Sequence, residues 1–381
     1  MNRIAVTGIG MIDALGNNPV QCFDNLLDNK IYDRHFDDIV LPRKSVKVDR
    51  CHMPTTDIII PEDFNPKLLR YMPRSMHTAL HSVNAALKDA NIQHSSNVGV
   101  FYSTCTAKDG MYEAIVIKEK LHPLYSLNLP VDSSASMISQ HWGFTGINFA
   151  AQSACATGLV TIDIAMKYLN QYDYVICGGS DNGVNEVDLD VFSSLRALGN
   201  KSMPFDDDRS GFVMAEGAGC LILEDEEKAK ARGARIHAYL HPVAHASDAF
   251  NRTSPSGVGA RTTMNNALVS AEIDTVDYVN AHGTSTPVGD KVEYEAIQDI
   301  GDLLVTSNKG KIGHTFAAAG ILETIYSILS IQHNIIPHTQ NFINTEYKNV
   351  VKSPIKTDVD FVLNNSFGFG GKCASMIVGS Q

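Results

Sequence analysis

The chain contains 381 residues, of which 44% are hydrophobic and 19% charged, so it can bury a large core in two domains or one large one. Its formal net charge of -11 disfavours nonspecific binding to nucleic acid or to a membrane surface. No apolar run is long enough to span a bilayer, and the N-terminal stretch is typical of a strand and turn rather than of a signal peptide. We therefore expect a cytoplasmic protein.

Apolar runs with the features of strands alternate with helical stretches along the chain, which predicts an α/β fold. The first predicted elements are RIAVTGIG (3–10), the helix RSMHTALHSVNAALKDA (74–90), VGVFYSTC (98–105), INFAAQSA (147–154), YVICGGSD (174–181) and GCLILED (219–225). After the charged helical stretch EDEEKAKARG (224–233) come RIHAYLHPVA (235–244), DYVNAHG (277–283), LLVTSNKG (303–310), DFVLNNSFG (360–368) and ASMIVG (374–379). Five predicted strands in each series indicate two related halves, residues 1–233 and 234–381, packed over a shared interface.

The cysteines are scattered and odd in number, and no C-x-x-C pair suggests a zinc or redox site. We therefore expect no metal ion, and we expect most of these thiols to lie in the core. They are Cys22, Cys51, Cys105, Cys155, Cys177, Cys220 and Cys373.

Cys155 differs from the other cysteines because it lies among small residues between a predicted strand and a predicted helix, in AAQSACATGL (150–159). We expect this helix to begin near Ser153 or Ala154. The unpaired N–H groups and the dipole at its start would favour the thiolate form of Cys155 and could stabilise an oxyanion. Taken alone, such a cysteine is more often an inert buried thiol. The apolar side chains that predict the helix are Leu159, Ile162, Met166 and Leu169.

The second half contributes polar residues in loops that follow predicted strands. His282 follows one such strand, and Thr284 and Thr286 come next in a loop with glycine and proline. Lys309 and His314 lie in SNKGKIGHTFAAAG (307–320). Either histidine alone is more often a surface or core residue than a catalyst. The glycine-aromatic stretch NNSFGFGG (364–371) alone indicates a tight structural turn.

Taken together, these motifs resemble the elongating β-ketoacyl-acyl carrier protein synthases, which are decarboxylating condensing enzymes of the thiolase-like superfamily. Thiolases carry a second catalytic cysteine, whereas initiating synthases and chalcone-type enzymes have asparagine where this chain has His314. Cys373 does not stand where a thiolase has its second catalytic cysteine, so we interpret it as structural. The motifs, in family order, are VTGIGMIDALG, SACATG, RALG, PFDDDRSGFVMAEGAG, SDAF, NAHGTSTPVGDKVE, SNKGKIGHTFAAAG and NNSFGFGG.

The resemblance implies a chemical role for each of these residues. Cys155 would accept an acyl group from a phosphopantetheine thioester and release it to a carbanion. His282 and His314 would donate hydrogen bonds to the enolate that malonyl-thioester leaves when it loses carbon dioxide. Lys309, paired with Glu323, would set the charge and orientation of this centre.

Further residues are assigned by the same resemblance to substrate binding. The N–H groups of Cys155 and Phe369 would hold the oxyanion of the tetrahedral intermediates, and the Phe369 ring would gate entry of the acyl chain. Thr284 and Thr286 would hold the pantetheine arm. The residues expected to line the acyl pocket are Cys105, Thr106 and Phe192.

The family fold is a five-layered αβαβα sandwich of two similar halves, and the family is dimeric. One subunit closes the acyl tunnel of the other, here through HPLYSLNLPVDSSASM (122–137). The implied partners are acyl carrier protein and either a second copy of the chain or a homologous chain-length partner. No cofactor is implied beyond the phosphopantetheine that carries the substrates. Carrier proteins are acidic, and the basic residues expected to dock them are Lys67, Arg70, Lys120 and Arg196.

Two alternatives to an active elongating enzyme of fatty-acid or type II polyketide or polyene synthesis remain open. The chain could be a chain-length partner subunit, although such partners usually lack the nucleophile that Cys155 supplies here. It could also be a coenzyme A thiolase or a thioester hydrolase. His314 and the lack of a matching second cysteine disfavour that alternative.

Overall fold

The computed structural model describes residues 3–30, 32, 34–35, 50–105, 123–341 and 344–380. None of the described helices is long and apolar enough to cross a membrane. The strands are β1 (Ile4–Ile12), β2 (Arg34–His35), β3 (Arg50–Cys51), β4 (Val98–Ser103), β5 (Asn148–Phe149), β6 (Tyr174–Asn182), β7 (Glu216–Asp225), β8 (Ala238–Leu240), β9 (Ala244–Ser247), β10 (Tyr278–Asn280), β11 (Leu304–Thr306), β12 (Ile335–Ile336), β13 (Ile355–Lys356), β14 (Phe361–Gly368) and β15 (Lys372–Gly379).

Helices separate most of these strands along the chain, as expected for an α/β fold. Short 3-10 turns, Leu169–Gln171 and Phe316–Ala318, flank two of the helices. The α-helices are α1 (Pro19–Leu27), α2 (Pro66–Leu69), α3 (Arg74–Ala90), α4 (Leu124–Leu127), α5 (Ser133–Trp142), α6 (Thr157–Tyr168), α7 (Glu186–Ser194), α8 (Glu226–Ala231), α9 (Val258–Ala271), α10 (Pro287–Gln298), α11 (Lys309–Ile312) and α12 (Ala319–His333).

The two halves of the chain build their sheets by the same pattern of pairing. In the first half the order is β5-β4-β6-β7-β1, and in the second it is β11-β10-β14-β15-β8. In each order the first two pairings are parallel and the last two are antiparallel. This correspondence confirms the prediction of two similar halves. The division at residue 233 stays a prediction, and it falls between α8 and β8.

Helices cover both faces of the two sheets and separate them in the middle. The middle layer consists of α6 and α12, each of which contacts strands of both halves. One outer layer contains α3 and α5 against the first half, and the other contains α9 against the second, with α10 packed on α9. The order helix, sheet, helix, sheet, helix is the expected five-layered sandwich. The middle helices carry much of the core, and Leu159, Ile162, Ile321 and Ile325 are fully buried there.

One feature of the sheets was not expected from the sequence. Strand β8 pairs with β1 of the first half and with β15 of the second, so hydrogen bonds run continuously from one half to the other. The ten predicted strands coincide with observed strands, although several are shorter than predicted, and α3 has the predicted bounds. Strand β9 was not predicted. It follows β8 in the chain, and both strands pair with β15.

Parallel strands end at the edge of each sheet where the candidate functional residues lie. Cys155 follows β5, His282 follows β10, and His314 follows β11 and α11. Phe369 comes directly after β14. Since ligands of α/β sheets bind outside the carboxyl ends of parallel strands, this placement is that of a ligand site built from both halves.

Candidate active site

Cys155 lies in a tight turn just before helix α6. Ala154 has a φ of 48°, in the left-handed region that few residues with a side chain adopt. The Ser153 N–H donates to the Thr157 hydroxyl over 2.8 Å, which closes the turn. The helix itself begins at Thr157, so the prediction of a start near Ser153 or Ala154 was wrong. The left-handed residue explains the difference, because the helical backbone cannot continue through it.

The end of β14 lies directly against this turn. A Cβ atom at Gly368 would lie 3.0 Å from the Cys155 backbone nitrogen, so only glycine fits there without a shift of the backbone. The next residue, Phe369, directs its backbone N–H toward the Cys155 sulfur. The close approach at Gly368 therefore brings the two N–H groups of the predicted oxyanion hole, those of Cys155 and Phe369, to one place.

Three side chains from different loops converge beside this turn. The Cys155 sulfur, one ring nitrogen of His282 and one of His314 all lie within 4.8 Å of one another. The two imidazole rings are 5.4 Å apart between centroids and nearly perpendicular, at 84°. All three side chains are buried. The structure thus brings together the cysteine and both histidines that the sequence analysis singled out.

The electrostatic environment of the thiol differs from the sequence-based expectation. Burial raises the pKa of Cys155 to about 11, although the charge of Lys309 and the N–H of Phe369 act in the opposite direction. The resting form at neutral pH is therefore the thiol, and the predicted preference for thiolate was wrong. A helix start and a nearby cation both favour thiolate, but here desolvation outweighs these effects.

This shift can be measured through the alkylation of Cys155 by iodoacetamide. Since the thiolate is the reactive form and the pKa lies near 11, we expect the alkylation rate to rise about tenfold per pH unit between pH 7 and pH 10. Mass spectrometry of the Cys155 peptide at several pH values would give the rate. A plateau already reached near pH 7 would show instead that the folded protein stabilises the thiolate.

The two histidines are held in the neutral form. Burial, followed by the positive charge of Lys309, keeps the pKa of both imidazoles well below the usual range. Among the described residues, neither ring nitrogen of His314 has a hydrogen-bond partner. Buried polar atoms are rarely left without one, so these nitrogens are suited to a bound ligand. A neutral imidazole can donate one N–H to an oxygen of that ligand.

Lys309 forms a fully buried ion pair with Glu323 of helix α12, as the sequence analysis predicted. Burial raises the pKa of Glu323, and the charge of Lys309 opposes that rise. A lysine at this depth needs such a partner, because an isolated buried ammonium would be very costly. The ion pair thus holds the Lys309 ammonium close enough to act on Cys155 and on both histidines, although the pair as a whole is neutral.

Breaking this pair should destabilise the protein strongly. Replacing Glu323 by leucine would leave the buried Lys309 charge without a partner, and we expect the free energy of unfolding to fall by about 3 to 5 kcal/mol. Urea denaturation followed by circular dichroism would measure the change. The control is the double variant Lys309→Met/Glu323→Leu, which buries no charge and should recover most of the loss. Equal losses in both variants would contradict the electrostatic explanation.

A cavity of about 420 Å³ leads from solvent to these side chains. Thr284 and Thr286, predicted to hold the pantetheine arm, both line it, and their hydroxyl oxygens are 3.1 Å apart. Phe369 and Arg196 also belong to its wall. A cavity of this size, lined in part by hydroxyl groups and in contact with the Cys155 thiol, can admit a long flexible arm with a reactive end.

Of the residues predicted to line the acyl pocket or to dock the carrier protein, some lie away from the cavity wall and others lie outside the described residues. Cys105 and Phe192 are not part of the cavity wall but pack in an apolar cluster with Cys155. Phe192 also stacks on Phe369, the predicted gate residue, at 6.4 Å between ring centroids. Thr106 and Lys120 lie outside the described residues, as does His122 of the predicted tunnel segment, whereas Lys67 and Arg70 are exposed at helix α2.

Two buried carboxylates that organise the site were missed by the sequence analysis. Glu293 of α10 accepts hydrogen bonds from the N–H groups of His282 at 2.8 Å and Gly283 at 2.7 Å. Asp181, at the end of β6, accepts from the N–H groups of Cys105 at 3.0 Å and Ala317 at 2.9 Å. They fix the loops on either side of the catalytic candidates. Asp181 lies at the end of the predicted strand YVICGGSD, and Glu293 ends the motif NAHGTSTPVGDKVE. The sequence does not indicate which backbone N–H groups these carboxylates bind.

An aromatic wall around His314 was also missed. Phe316 stacks on the His314 ring at 4.8 Å between centroids, and Phe212 contacts its edge at 5.4 Å. Phe316 adopts a φ of 49°, which turns its ring back toward the histidine. Arg252 and the predicted Arg196, which are both exposed, also line the cavity. The site therefore combines aromatic packing around His314 with two exposed arginines in the cavity wall.

Comparison with protein families identifies this arrangement. Residues 1–229 match the N-terminal domain of beta-ketoacyl synthases, and residues 237–343 match the C-terminal domain of the same family. The chain belongs to the β-ketoacyl synthase family. Members are condensing enzymes of the acyltransferase type, and this synthase is one of them.

Curated relatives match the synthase over nearly its whole length. The mitochondrial 3-oxoacyl-acyl-carrier-protein synthase of Arabidopsis thaliana is 32% identical, with 99% of this chain and 93% of the relative covered. The 3-oxoacyl-acyl-carrier-protein synthase 2 of Coxiella burnetii is 31% identical and covers 99% and 98%.

Solved structures with the same fold also match this chain over its whole length. A β-ketoacyl synthase from Burkholderia phymatum superposes with a TM-score of 0.90 at 27% identity, with both chains fully covered. A type II polyketide synthase acyl carrier protein in complex with its ketosynthase, bound to a hexaketide, gives 0.89 at 25% identity, again over both whole chains. The ishigamide ketosynthase/chain length factor gives 0.88 at 27%, covering 100% of this chain and 99% of that one.

Proposed function

We propose that this synthase catalyses the decarboxylative Claisen condensation of an acyl group, held on Cys155, with malonyl-acyl carrier protein to give 3-oxoacyl-acyl carrier protein. The observation that carries the proposal is the convergence of the Cys155 sulfur with ring nitrogens of His282 and His314, all within 4.8 Å of one another at the end of the cavity. A nucleophile and two neutral hydrogen-bond donors in a water-poor site suit both halves of this reaction.

In the first half-reaction, Cys155 attacks the thioester carbonyl of acyl-carrier protein. The oxyanion of the tetrahedral intermediate accepts hydrogen bonds from the N–H groups of Cys155 and Phe369. The intermediate then expels the pantetheine thiolate, which ends as a thiol with the proton that Cys155 gives up. The charge of Lys309 favours the transient thiolate, because it lowers the high pKa that burial imposes on Cys155.

In the second half-reaction, malonyl-carrier protein occupies the same cavity. Its carbon–carbon bond to the carboxylate breaks, carbon dioxide leaves, and the enolate oxygen accepts N–H bonds from His282 and His314. The enolate carbon then attacks the acyl-Cys155 thioester, and the cysteine leaves as a thiolate that takes up a proton. Neutral imidazoles suit this task, since they donate without giving a proton to the reactive carbanion.

Thr284 and Thr286 hold the pantetheine arm through their hydroxyl groups in this proposal, and Phe369 opens to admit the acyl chain. Phe192 stacks on Phe369 and lies in the apolar cluster beside Cys155, which supports its role in the acyl pocket. Cys105 belongs to the same cluster, and Thr106 is its neighbour in sequence. The reaction as proposed needs no cofactor beyond the phosphopantetheine that carries its substrates.

The test is to incubate the purified synthase with acyl- and malonyl-carrier protein and to weigh the carrier-bound products. The proposed reaction yields a product heavier than the starting acyl group by one C2H2O unit. Hydrolysis of the acyl thioester, or its exchange without chain growth, would favour a hydrolase or a thiolase-type transferase instead. A ladder of acyl lengths in the same assay would assign the chain length, and with it the fatty-acid or polyketide pathway.

Carrier-protein docking can be tested at the mouth of the cavity. Arg196 is exposed there, and reversing its charge by Arg196→Glu should repel an acidic carrier protein. We expect KM for malonyl-carrier protein to rise about tenfold, with the difference shrinking at high salt. The reaction with malonyl-pantetheine, which lacks the protein, should change little. Lys67, Arg70 and Lys120 are the further docking residues of the proposal.

The matched control is Lys356→Glu, which makes the same charge change on an exposed residue of β13. Strand β13 pairs with β12, beyond the end of helix α12 that lies away from the active site. The 15 residues of this helix, at about 1.5 Å per residue, separate its two ends by roughly 20 Å. Equal effects of the two substitutions would show that only the net charge matters and would contradict docking at Arg196.

We also propose that the synthase acts as a dimer, with a second copy of the chain or with a homologous chain-length partner. The edge strand β5 supports a dimer, because it is exposed and leaves the Phe149 ring 39% accessible. The residues 123–137 of one subunit would close the acyl tunnel of the other. A cytoplasmic location stays a prediction, and the names of some relatives place those proteins in mitochondria or chloroplasts.

A further inference from the structure

The active-site cluster has the composition of a transition-metal site as well as that of a condensing enzyme. Cys155, His282 and His314 supply one sulfur and two imidazole nitrogens, all buried and all within 4.8 Å of one another. Thiolate with imidazole is a ligand set that Zn²⁺ prefers and that Mg²⁺ and Ca²⁺ do not. Among the described residues, no hydrogen bond to either nitrogen of His314 would have to be broken when a metal binds.

We propose that Cys155, His282 and His314 bind one Zn²⁺ ion when no acyl group is present, and that the bound ion reversibly inhibits the synthase. The inference is independent of the acyl substrate, because the three ligands belong to the free protein.

The three ligand atoms already lie near the spacing of a zinc site. Bonds of about 2.0 to 2.1 Å to nitrogen and about 2.3 Å to sulfur place ligand atoms of a tetrahedral site roughly 3.4 to 3.6 Å apart. The three ligand atoms, which now lie within 4.8 Å of one another, therefore have to approach by little more than 1 Å. Three protein ligands leave a fourth position for water, which would face the cavity, as in zinc sites that keep one position open.

The protonation states of the three ligands determine whether zinc binding releases a proton. Zinc ligands bind in their deprotonated forms, so the two imidazoles have to be neutral and Cys155 has to be a thiolate. The Cys155 thiol has to lose its proton to solvent as the zinc–sulfur bond forms, and no electrons are transferred. Lys309 opposes a second cation nearby, whereas Asp181 favours it, and Glu323 neutralises Lys309.

Inhibition follows because the ion withdraws electron density from the Cys155 sulfur and occupies the space that the thioester must enter. A zinc-bound Cys155 attacks a thioester much more slowly than the free thiolate, and the coordinated imidazole nitrogens cannot donate to an enolate oxygen. A chelator would restore the free thiol, which distinguishes this inhibition from irreversible oxidation or alkylation. Acylation of Cys155 would in turn exclude the ion, so zinc and acyl-carrier protein should compete.

The experiment measures zinc binding without any substrate, so its result does not depend on the proposed reaction. Metal-free protein is titrated with ZnCl₂ against a zinc-binding dye, and Cys155 alkylation by iodoacetamide is followed by mass spectrometry with and without zinc. We expect one tight site per chain, protection of Cys155, and full recovery on addition of EDTA. Cys155→Ser and His314→Ala should each weaken binding at least about 100-fold.

The matched control is Cys220→Ala, which removes a buried thiol of the core and should leave zinc binding unchanged. Circular dichroism would establish that each variant is folded. Binding that survives in both Cys155→Ser and His314→Ala would overturn the proposal, as would equal protection of Cys155 by MgCl₂. Zinc bound at one equivalent without protection of Cys155 would place the ion elsewhere and would overturn it as well.

Discussion

The variant Cys155→Ala is expected to lose both acyl transfer and condensation, with no acyl-enzyme detectable by mass spectrometry. Cys155 is the thiol at which the Phe369 N–H and both imidazoles converge, and no other described cysteine has these neighbours. Condensation passes through a covalent thioester on this sulfur in the proposed mechanism, so no partial route remains. The expected loss is therefore the largest that any single substitution would cause.

The control for this prediction is again Cys220→Ala, which removes a thiol fully buried in the core. It should be acylated on Cys155 like the unaltered protein. Cys373 provides a stricter comparison, since it lies in the cavity wall, yet burial raises its pKa to about 12. An acyl group found on Cys373 in the Cys155→Ala protein would contradict the assignment of the nucleophile.

Most of the fold could be predicted from the sequence because hydrophobic periodicity is a local signal. Nine of the ten predicted strands are mostly buried strands of the two halves, where apolar runs are expected, and the tenth is the exposed edge strand β5. Helix α3 is predicted to the residue, since its apolar face repeats at helical spacing and Asn91 ends it in a left-handed conformation. Strand β9 escaped prediction because its short sequence, Ala244–Ser247, alternates with polar residues after a proline.

The local structure at Cys155 could be predicted only in part. Small residues before an apolar stripe indicate a helix start, but not the left-handed Ala154 that delays it to Thr157. The thiolate prediction failed for a similar reason. A helix start is visible in the sequence. The burial that raises the pKa of Cys155 comes instead from residues distant in the chain, such as Gly368 at the end of β14 and Phe316 of the apolar cluster around the thiol.

The supporting carboxylates show a further limit of sequence reasoning. Glu293 and Asp181 accept hydrogen bonds from backbone N–H groups. Every residue except proline has such a group, so the sequence does not indicate which of them a carboxylate will bind. Lys309 and Glu323 were predicted as a pair because the resemblance named both side chains. Charged pairs can therefore be transferred from a known family, whereas carboxylates that order loops need the structure itself.

The aromatic wall changes how the second histidine is interpreted. Phe316 and Phe212 enclose the His314 ring on its face and its edge, so its orientation is fixed before substrate enters. A donor held in place in an apolar site stabilises a developing enolate more than a mobile one does, because no reorganisation is needed during the reaction. In the proposed reaction, His314 would therefore be a preorganised donor.

The variant His314→Ala is accordingly expected to become acylated on Cys155 at a nearly unchanged rate but to condense at least about 10²-fold more slowly, which is the usual loss for one oxyanion donor. Single-turnover acylation and product formation, both followed by mass spectrometry, would separate the two steps. The control is His241→Ala, which removes another partly buried imidazole, in contact with Phe361 and outside the cavity. It should leave both steps intact. An equal loss of acylation and condensation in His314→Ala would indicate collapse of the aromatic wall into the site rather than a missing donor, and the role assigned to His314 would fail.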